Sequence, residues 1–425
     1  MSLHVLDEAD RCLQCKNPRC REGCPIHTDI PNAIRLLREG NLNEAGWMLF
    51  ENNPLTTVCS LICNHENQCE GHCVRGIKGA PVHFSVIENY ISETYANQMT
   101  KGPSIKNGQR VAIIGSGPAG LTIAVILQRY GYDVTIFEGK DKIGGVLRYG
   151  IPEFRLPKSV LDDFEYRHLR MKNIKIRPNT TIGMAITISD LFRDGYSSIF
   201  IGTGVWKPNV LHIKGETYGN VHFGINYLNN PDSYQLGSRV SVIGAGNAAM
   251  DVARTAIRKG VRHLTCFSLT KKIAACAHEF SYAQLEGVDF EYNWKPVQIQ
   301  DDGVIFRKVE EQEDGTLAEI PDSDKFFPSD SVIISISQGP QNRLVNTTRG
   351  LHTNDRGLLE ADDTGHTSVP GIFASGDVVA GARTVVEAVA HSKVVAESMH
   401  KYMQGLKTGA THLPTAEELN QADST

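Results

Sequence analysis

No apolar run in these 425 residues approaches the ~20 needed to span a bilayer, so no membrane partner is expected. A basic excess is missing too. Lys and Arg number 43 against 48 Asp and Glu, for a net charge of −5, which argues against a nucleic-acid partner. The N-terminus has neither a basic start nor an apolar core, so no signal peptide is expected. A cytoplasmic address follows as an expectation, and in that compartment structural disulfides are not expected. Cysteine is nearly absent after residue 73. Only Cys266 and Cys276 follow, and they read as fillers or surface thiols.

The other eight of the ten cysteines crowd into the first 73 residues, as Cys12-x2-Cys15-x4-Cys20-x3-Cys24-Pro25 and Cys59-x3-Cys63-x5-Cys69-x3-Cys73. Thiols this dense in a reducing compartment point to metal. Two four-thiolate zinc sites are one reading, because zinc accepts tetrahedral sulfur. Iron–sulfur clusters are the other: the first clump resembles the bacterial ferredoxin run, whose fourth Cys precedes Pro and serves the other cluster. The gap of four before Cys20 departs from ferredoxin spacing.

A length of 425 residues exceeds one hydrophobic core, so two or three domains are expected. Between the clumps, Asp29 is placed to cap a helix entered at Pro31, with Ile34, Leu37 and Leu42 as its apolar stripe. A second helix is expected over 43–53 and a third over about 85–99, leading to a Gly/Pro-containing linker at 101–108.

The character then changes. Val111-Ala-Ile-Ile-Gly115 reads as a buried strand, Gly115-Ser-Gly117-Pro-Ala119-Gly120 as a turn into a helix over 121–130, and 133–138 as a second strand ending at Glu138. Such a unit cradles a dinucleotide. Gly115 makes the turn, Gly117 lets the backbone approach a pyrophosphate, Gly120 permits close packing, and the carboxylate binds ribose hydroxyls. The plan recurs at Val240-Ser-Val-Ile-Gly244-Ala-Gly246-Asn247-Ala248-Ala249, with a helix over 250–259 and a strand over 263–267. Further strands are expected over 331–337 and 371–374, then Gly376-Asp377 opening toward a helix over 384–399, and a loose polar tail from about 404. Two such units with a late Gly-Asp suggest an α/β, disulfide-reductase-like fold. An FAD domain, closed by Gly376-Asp377, would contain an inserted NAD(P) domain, both Rossmann-like. A helix cap is the alternative role for Asp377.

In combination, Cys12-x2-Cys15-x4-Cys20-x3-Cys24-Pro25, Cys63-x5-Cys69-Glu-Gly-x-Cys73, Gly115 to Gly120, Gly144-Gly145-Val-Leu-Arg-Tyr-Gly-Ile-Pro-Glu-Phe-Arg155-Leu-Pro and Gly202-Thr203-Gly204 resemble the glutamate synthase small-chain family. They are similar also to the electron-input part of dihydropyrimidine dehydrogenase. The resemblance runs from about residue 8 to 402. It implies FAD, NADH or NADPH, and two [4Fe–4S] clusters. One cluster would use Cys24, Cys63, Cys69 and Cys73. The other would use Cys12, Cys15, Cys20 and, in place of a fourth thiolate, Glu88, with Cys59 spare. The plain alternative for Glu88 is a solvated helix carboxylate.

The resemblance carries FAD contacts onto Gly115, Gly117, Gly120, Glu138, Gly145, Leu147, Arg155, Gly376, Asp377 and Thr384. Arg155 suits a phosphate or the flavin's polar edge, and its alternative is a surface salt bridge. Asn247 and Ala248 fall on the nicotinamide nucleotide's pyrophosphate. Thr203, Asp377 and Glu387 fall near the flavin, but no side-chain nucleophile or base is needed and none is assigned. After Thr265 the pair of basic residues that NADPH-using relatives carry is missing. Phe267-Ser268-Leu269 stands there, with Lys271 and Lys272 beyond it, which leans toward NADH.

The expected domains are a helical iron–sulfur domain at 1–107, an FAD domain at 108–236 and 339–410, an NAD(P) domain at 237–338 and a tail at 411–425. No FMN-binding barrel or amidotransferase module is present, so a catalytic, FMN-containing partner subunit is expected to receive the electrons. Asn226-Tyr-Leu-Asn-Asn-Pro-Asp232 leans toward the pyrimidine type over glutamate formation. A flavin reductase with a zinc-binding docking domain is the rival reading.

Overall fold

The computed structural model describes residues 2–96, 106–172 and 174–415. Contacts divide the chain into two compact units. The described residues within 1–147, 153–205 and 340–415 form one, and residues 148–152 with 206–339 form the other.

The first unit opens with the cysteine-bearing helices. Ile30–Arg38 buries Ile30, Ala33, Ile34, Leu36 and Leu37, and Leu42–Asn52 buries Ala45, Leu49 and Phe50. Pro31 sits in the first turn, where its missing N–H costs nothing. Asp29 stands at the N-cap, but its side chain makes no capping hydrogen bond, which corrects the expected cap. Its carbonyl oxygen accepts instead from Ala33 N at 3.0 Å. Phe84–Ala96 is the third expected helix, and 97–99 with the linker to 105 lie outside the described residues.

This unit's sheet is parallel, in the order Ile372–Ala374, Tyr196–Ile201, Arg110–Ile114, Asp133–Phe137, Lys175–Arg177. Val111, Ala112 and Ile113 are fully buried, as a strand covered on both faces requires. The chain steps one way from Arg110–Ile114 to Asp133–Phe137 and the other way to Tyr196–Ile201. The first glycine turn therefore stands at a topological switch point, where open α/β sheets bind ligands. The last helix, Val385–Thr408, runs through the segment read as a loose tail from 404. Met403 is fully buried, Tyr402 OH donates to His412 O at 2.6 Å, and Gln109 Nε2 donates to Met403 O at 2.9 Å.

The second unit repeats the plan, with parallel order Val221–Phe223, Ser331–Ile334, Arg239–Ile243, His263–Ser268, Val288–Tyr292. Trp294–Gln300, Gly303–Glu311, Leu317–Glu319 and Lys325–Pro328 add an antiparallel sheet that the motif reading did not mark. Phe267, Phe306 and Phe327 pack at its base, the first two stacked 4.0 Å apart.

Within the first unit a seam joins the helices to the flavin-type fold. Phe50 stacks on His168 at 4.7 Å, Arg129 pairs with Glu51 at 2.8 Å, and Lys393 Nζ donates to Asn52 Oδ1 at 2.6 Å. Burial lowers the His168 pKa to about 3, helped by Lys172 and Arg167, so the ring is neutral when folded. The unfolded chain then takes up a proton that the folded chain refuses. Stability is full above the unfolded value of ~6.5 and falls as pH drops toward the folded value. His168→Phe keeps the ring stack and removes this loss. Relative to its own stability at pH 7.5, the variant should be favoured over the parent by about 1.4 kcal/mol at pH 5.5 in urea melts. Parallel pH profiles for the two proteins would contradict it.

Candidate functional site

Three constellations carry chemistry. The first is the glycine turn after Arg110–Ile114. Gly115 has φ +96°, and a Cβ there would lie 2.5 Å from Gly202 O and 3.2 Å from Thr203 Cα. At Gly120 a Cβ would overlap the Gly115 carbonyl oxygen, whereas at Gly117 it would meet nothing within 4 Å. The turn is thus closed underneath and open above, as a bound pyrophosphate requires, and Gly117 caps the helix Pro118–Arg129 whose free N–H groups face that opening. Glu138 anchors the turn from the neighbouring strand, accepting from Ser116 N at 2.9 Å, from Ser116 Oγ and from Lys140 N at 2.8 Å.

Gly144-Gly145 lies against the same turn. Gly144 N donates to Ser116 O at 3.1 Å, and a Cβ on Gly145 would stand 2.8 Å from Gly117 Cα. Leu147 is fully buried and Arg155 half-buried. From the far end of the chain, Gly376 arrives with φ +77°, where a Cβ would be 3.0 Å from Ala119 Cβ. Asp377 is not a helix cap: Gly376 holds that position for Asp377–Ala380. Its carboxylate accepts from Arg383 N at 3.2 Å, and burial raises its pKa to about 6. Thr384 caps the last helix in a box with Glu387, whose carboxylate accepts from Thr384 N at 2.9 Å. Every expected FAD residue from Gly115 to Thr384 therefore lies in the first unit. Close contacts unite Gly115, Gly117, Ala119, Gly120, Glu138, Gly145, Thr203 and Gly376.

The second constellation is the glycine turn of the other unit. Gly244 has φ +131°, and a Cβ there would overlap Ser335 O. Gly246 faces open space at the N-terminus of Asn247–Arg258, with Asn247 and Ala248 exposed. The segment after His263–Ser268 folds back over this turn: Ala275 N donates to Ala245 O at 3.0 Å and Cys276 N to Asn247 Oδ1 at 2.9 Å. Lys271 and Lys272 ride exposed on that segment. Cys266 is fully buried, a core filler as expected.

The third constellation is the thiols. Among the described residues no three His, Cys, Asp or Glu side chains converge closely enough to hold a single ion. They gather instead in two looser sets. Cys12, Cys15, Cys20, Cys69 and Cys73 line one cavity. The Cys20 thiol is pushed up to about 11, chiefly by burial and then by Cys73, with Cys12 and Cys15 adding to it.

The other set surrounds Glu88. Burial foremost, then Glu88, Glu70 and Cys24, raise the Cys69 thiol, and Cys63 is raised by its hydrogen bond with Cys59, by burial and by Glu88. Glu88 itself is 6% exposed, which excludes a solvated carboxylate. It accepts from Thr56 Oγ1 at 2.8 Å, and burial lifts its pKa to about 7.

Electrostatic influence links Glu88 to Cys63 and Cys69, and Cys73 to Cys12 and Cys20, a grouping different from the one the resemblance implies. The helix Phe84–Ala96 packs on Thr56–Ile62, which brings Glu88 to the second clump, a pairing that spacing along the chain does not contain. Cys24 is further tied inward. Its Sγ lies 3.4 Å from Thr28 Oγ1, which accepts from Asn52 Nδ2 at 3.1 Å, and Asn52 holds Lys393 of the last helix.

Comparison with known proteins agrees with this anatomy. The pyridine nucleotide-disulphide oxidoreductase family matches residues 109–392, and dihydropyrimidine dehydrogenase domain II, a 4Fe-4S cluster domain, matches residues 2–100. The glutamate synthase [NADPH] small chain of Escherichia coli K12 is 32% identical over 93% of this chain and 91% of its own. The NAD-dependent dihydropyrimidine dehydrogenase subunit PreT of the same organism is 31% identical over 95% of each. Mycobacterium tuberculosis FprA, solved in complex with NADPH, shares the fold with a TM-score of 0.61 at 16% identity, over 73% of this chain and 88% of its own. The chain belongs to the pyridine nucleotide-disulphide oxidoreductase family, in the group that carries an iron–sulfur region ahead of the flavin fold, and is an NAD(P)H-dependent electron-input oxidoreductase.

Proposed function

We propose that this chain oxidises NAD(P)H, takes the electrons through FAD and two [4Fe–4S] clusters, and delivers them to a catalytic partner subunit. The thiols support the reading: Cys12, Cys15, Cys20, Cys69 and Cys73 line one cavity, and Glu88 acts on Cys63 and Cys69, so ligands of the kind a four-iron cluster takes are gathered there. The first cluster would be held by Cys12, Cys15, Cys20 and Cys73, and the second by Cys24, Cys63, Cys69 and Glu88. When bound, FAD supplies the conversion of a hydride into single electrons, and the clusters supply a one-electron path.

The chain's own residues place these groups. The turn at Gly115, Gly117 and Gly120, with Gly145 and Gly376 closing on it, binds the FAD pyrophosphate, and Glu138 fixes that turn from below. Leu147, Arg155, Thr203, Asp377 and Thr384 complete the flavin's surroundings. Gly244, Gly246, Asn247 and Ala248 bind the nicotinamide nucleotide. In this division residues 1–107 serve the clusters, 108–236 and 339–410 the flavin, and 237–338 the nicotinamide nucleotide.

Metal analysis with an anaerobic titration is the test. The expected result is about eight iron atoms and one FAD per chain, with NADH bleaching the flavin and then reducing the iron–sulfur absorbance. Two zinc atoms and no iron would overturn it in favour of a flavin reductase with a zinc docking domain.

NADH is the proposed donor. The position for a guanidinium fork that would grip a 2′-phosphate is filled by Ser268 and exposed Leu269. We expect kcat/KM for NADH to exceed that for NADPH by about tenfold or more, the cost of one lost charge-assisted contact. Steady-state rates with both nucleotides decide it, and a preference for NADPH would show that Lys271 or Lys272 makes the contact instead. The partner is proposed to be an FMN protein of the pyrimidine-reducing type, and copurification followed by flavin analysis identifies it. An amidotransferase partner would move the end reaction to glutamate formation.

A further inference from the structure

We infer that the surface around the Cys12, Cys15, Cys20 and Cys73 cavity is a docking face for an acidic electron-accepting protein. This rests on the electron-exit reading above and adds the chemistry of the partner. The two thiol sets differ in depth. Cys12, Cys15, Cys20 and Cys73 are all half-buried, whereas in the other set Cys24, Cys69 and Glu88 are buried, Cys63 is half-buried, and Cys24 is tied inward to the last helix. The first set is therefore the outer one.

The skin over that outer set is unlike the rest of the chain. Lys16, Arg19, Arg21 and Lys78 are exposed and Arg75 is half-buried at the cavity wall. In the stretches 11–25 and 71–80 that bear them, Glu22 is the single carboxylate, although the chain as a whole carries a net charge of −5. None of those five cations makes an ion pair among the described residues. The contrast lies close by: Arg11 pairs with Glu8 at 2.6 Å, Arg35 with Glu39 at 2.7 Å and Arg38 with Asp10 at 2.7 Å. Two large apolar side chains stand out of the same loops, Leu13 at 60% and Ile77 at 68% exposure. Apolar anchors in the same loops as unpaired like charge suit a surface of opposite charge, which speeds encounter and fixes register while leaving release fast. A carboxylate-rich protein surface is the occupant that satisfies both features.

Two haem proteins of opposite charge test it as one-electron acceptors: an acidic cytochrome b5 and a basic cytochrome c. Each NADH oxidised to NAD⁺ releases one proton and reduces two cytochromes. The holoprotein should show the lower KM for cytochrome b5, rising steeply with salt. The variant K16E/R21E/K78E should raise that KM by about tenfold or more and lower the KM for cytochrome c. Ile77→Ser should raise the cytochrome b5 KM without changing its salt dependence. Iron content and the rate of flavin bleaching by NADH should equal the parent's in both variants. An unchanged cytochrome b5 KM in the triple variant, or cytochrome c as the better acceptor of the parent, overturns the docking face and leaves the exit path standing. If NADH bleaches the flavin while neither the clusters nor either cytochrome is reduced, the exit path falls and the docking face with it.

Discussion

Replacing both Cys20 and Cys73 by serine should leave a protein with about four of its ~8 iron atoms, the same as either single replacement. Both thiols line one cavity and Cys73 acts directly on Cys20, so under the proposed grouping the second substitution removes a ligand from a cluster already lost. The grouping implied by family resemblance gives a different result: Cys20 and Cys73 would then serve different clusters, and the double variant would hold almost none. The complementary pair is Cys69→Ser with Glu88→Ala, which should again cost one cluster only, because Glu88 adjoins Cys63 and Cys69. Iron analysis together with EPR of the reduced proteins reads both experiments. Each pair should retain one cluster signal, and a different one. A double variant of Cys20 and Cys73 free of iron would restore the earlier partition.

Gly120→Ala should be the most damaging one-methyl change in the flavin-type fold. The added Cβ would overlap the Gly115 carbonyl oxygen, which belongs to the backbone of the turn itself and has no rotamer to yield. Relieving the overlap means lifting the turn away from the helix Pro118–Arg129, and with it the cradle shared by Gly117 and Gly145. We expect FAD content below about a tenth of the parent's, and overpacking to cost about 1–3 kcal/mol of stability. The 450 nm absorbance of the purified protein measures the first. Gly117→Ala is the informative control. A Cβ there meets no protein atom within 4 Å, so the fold should persist and only flavin affinity should fall. Full flavin content in Gly120→Ala would show that the turn tolerates the shift. The second unit shows how such tolerance is built: Ala249 occupies the corresponding position and is fully buried there.

Much of this was legible along the chain because it depends on neighbours in sequence. A strand, a glycine turn and a helix N-terminus lie within about fifteen residues, and each glycine answers a local constraint: a positive φ at Gly115 and Gly244, a close approach at Gly120. Most expected strands and helices are present within a few residues of their expected bounds. The last helix, however, runs nine residues past 399 to Thr408, and Leu42 opens the second helix because the first ends at Arg38. Asp29 and the segment after 404 departed from expectation for the same reason. Polar residues suggested a cap and a tail, and packing decided otherwise, through Ala33 on the Asp29 carbonyl and through buried Met403.

The antiparallel sheet at 294–328 gave little periodic signal, because its residues alternate imperfectly and its inner face is completed by Phe267 from another sheet.

By itself the sequence determined which chemistry is present: thiols for metal, two dinucleotide turns, and a family to which both belong. Only the tertiary structure brings groups from the two clumps and Glu88 within reach of one another. Cys73 and Cys20 lie in different clumps and Glu88 in neither, and their grouping depends on how Phe84–Ala96 packs against Thr56–Ile62. Spacing fixes what adjacent residues can share, whereas ligands drawn from separate helices meet only where burial of their apolar faces brings them together.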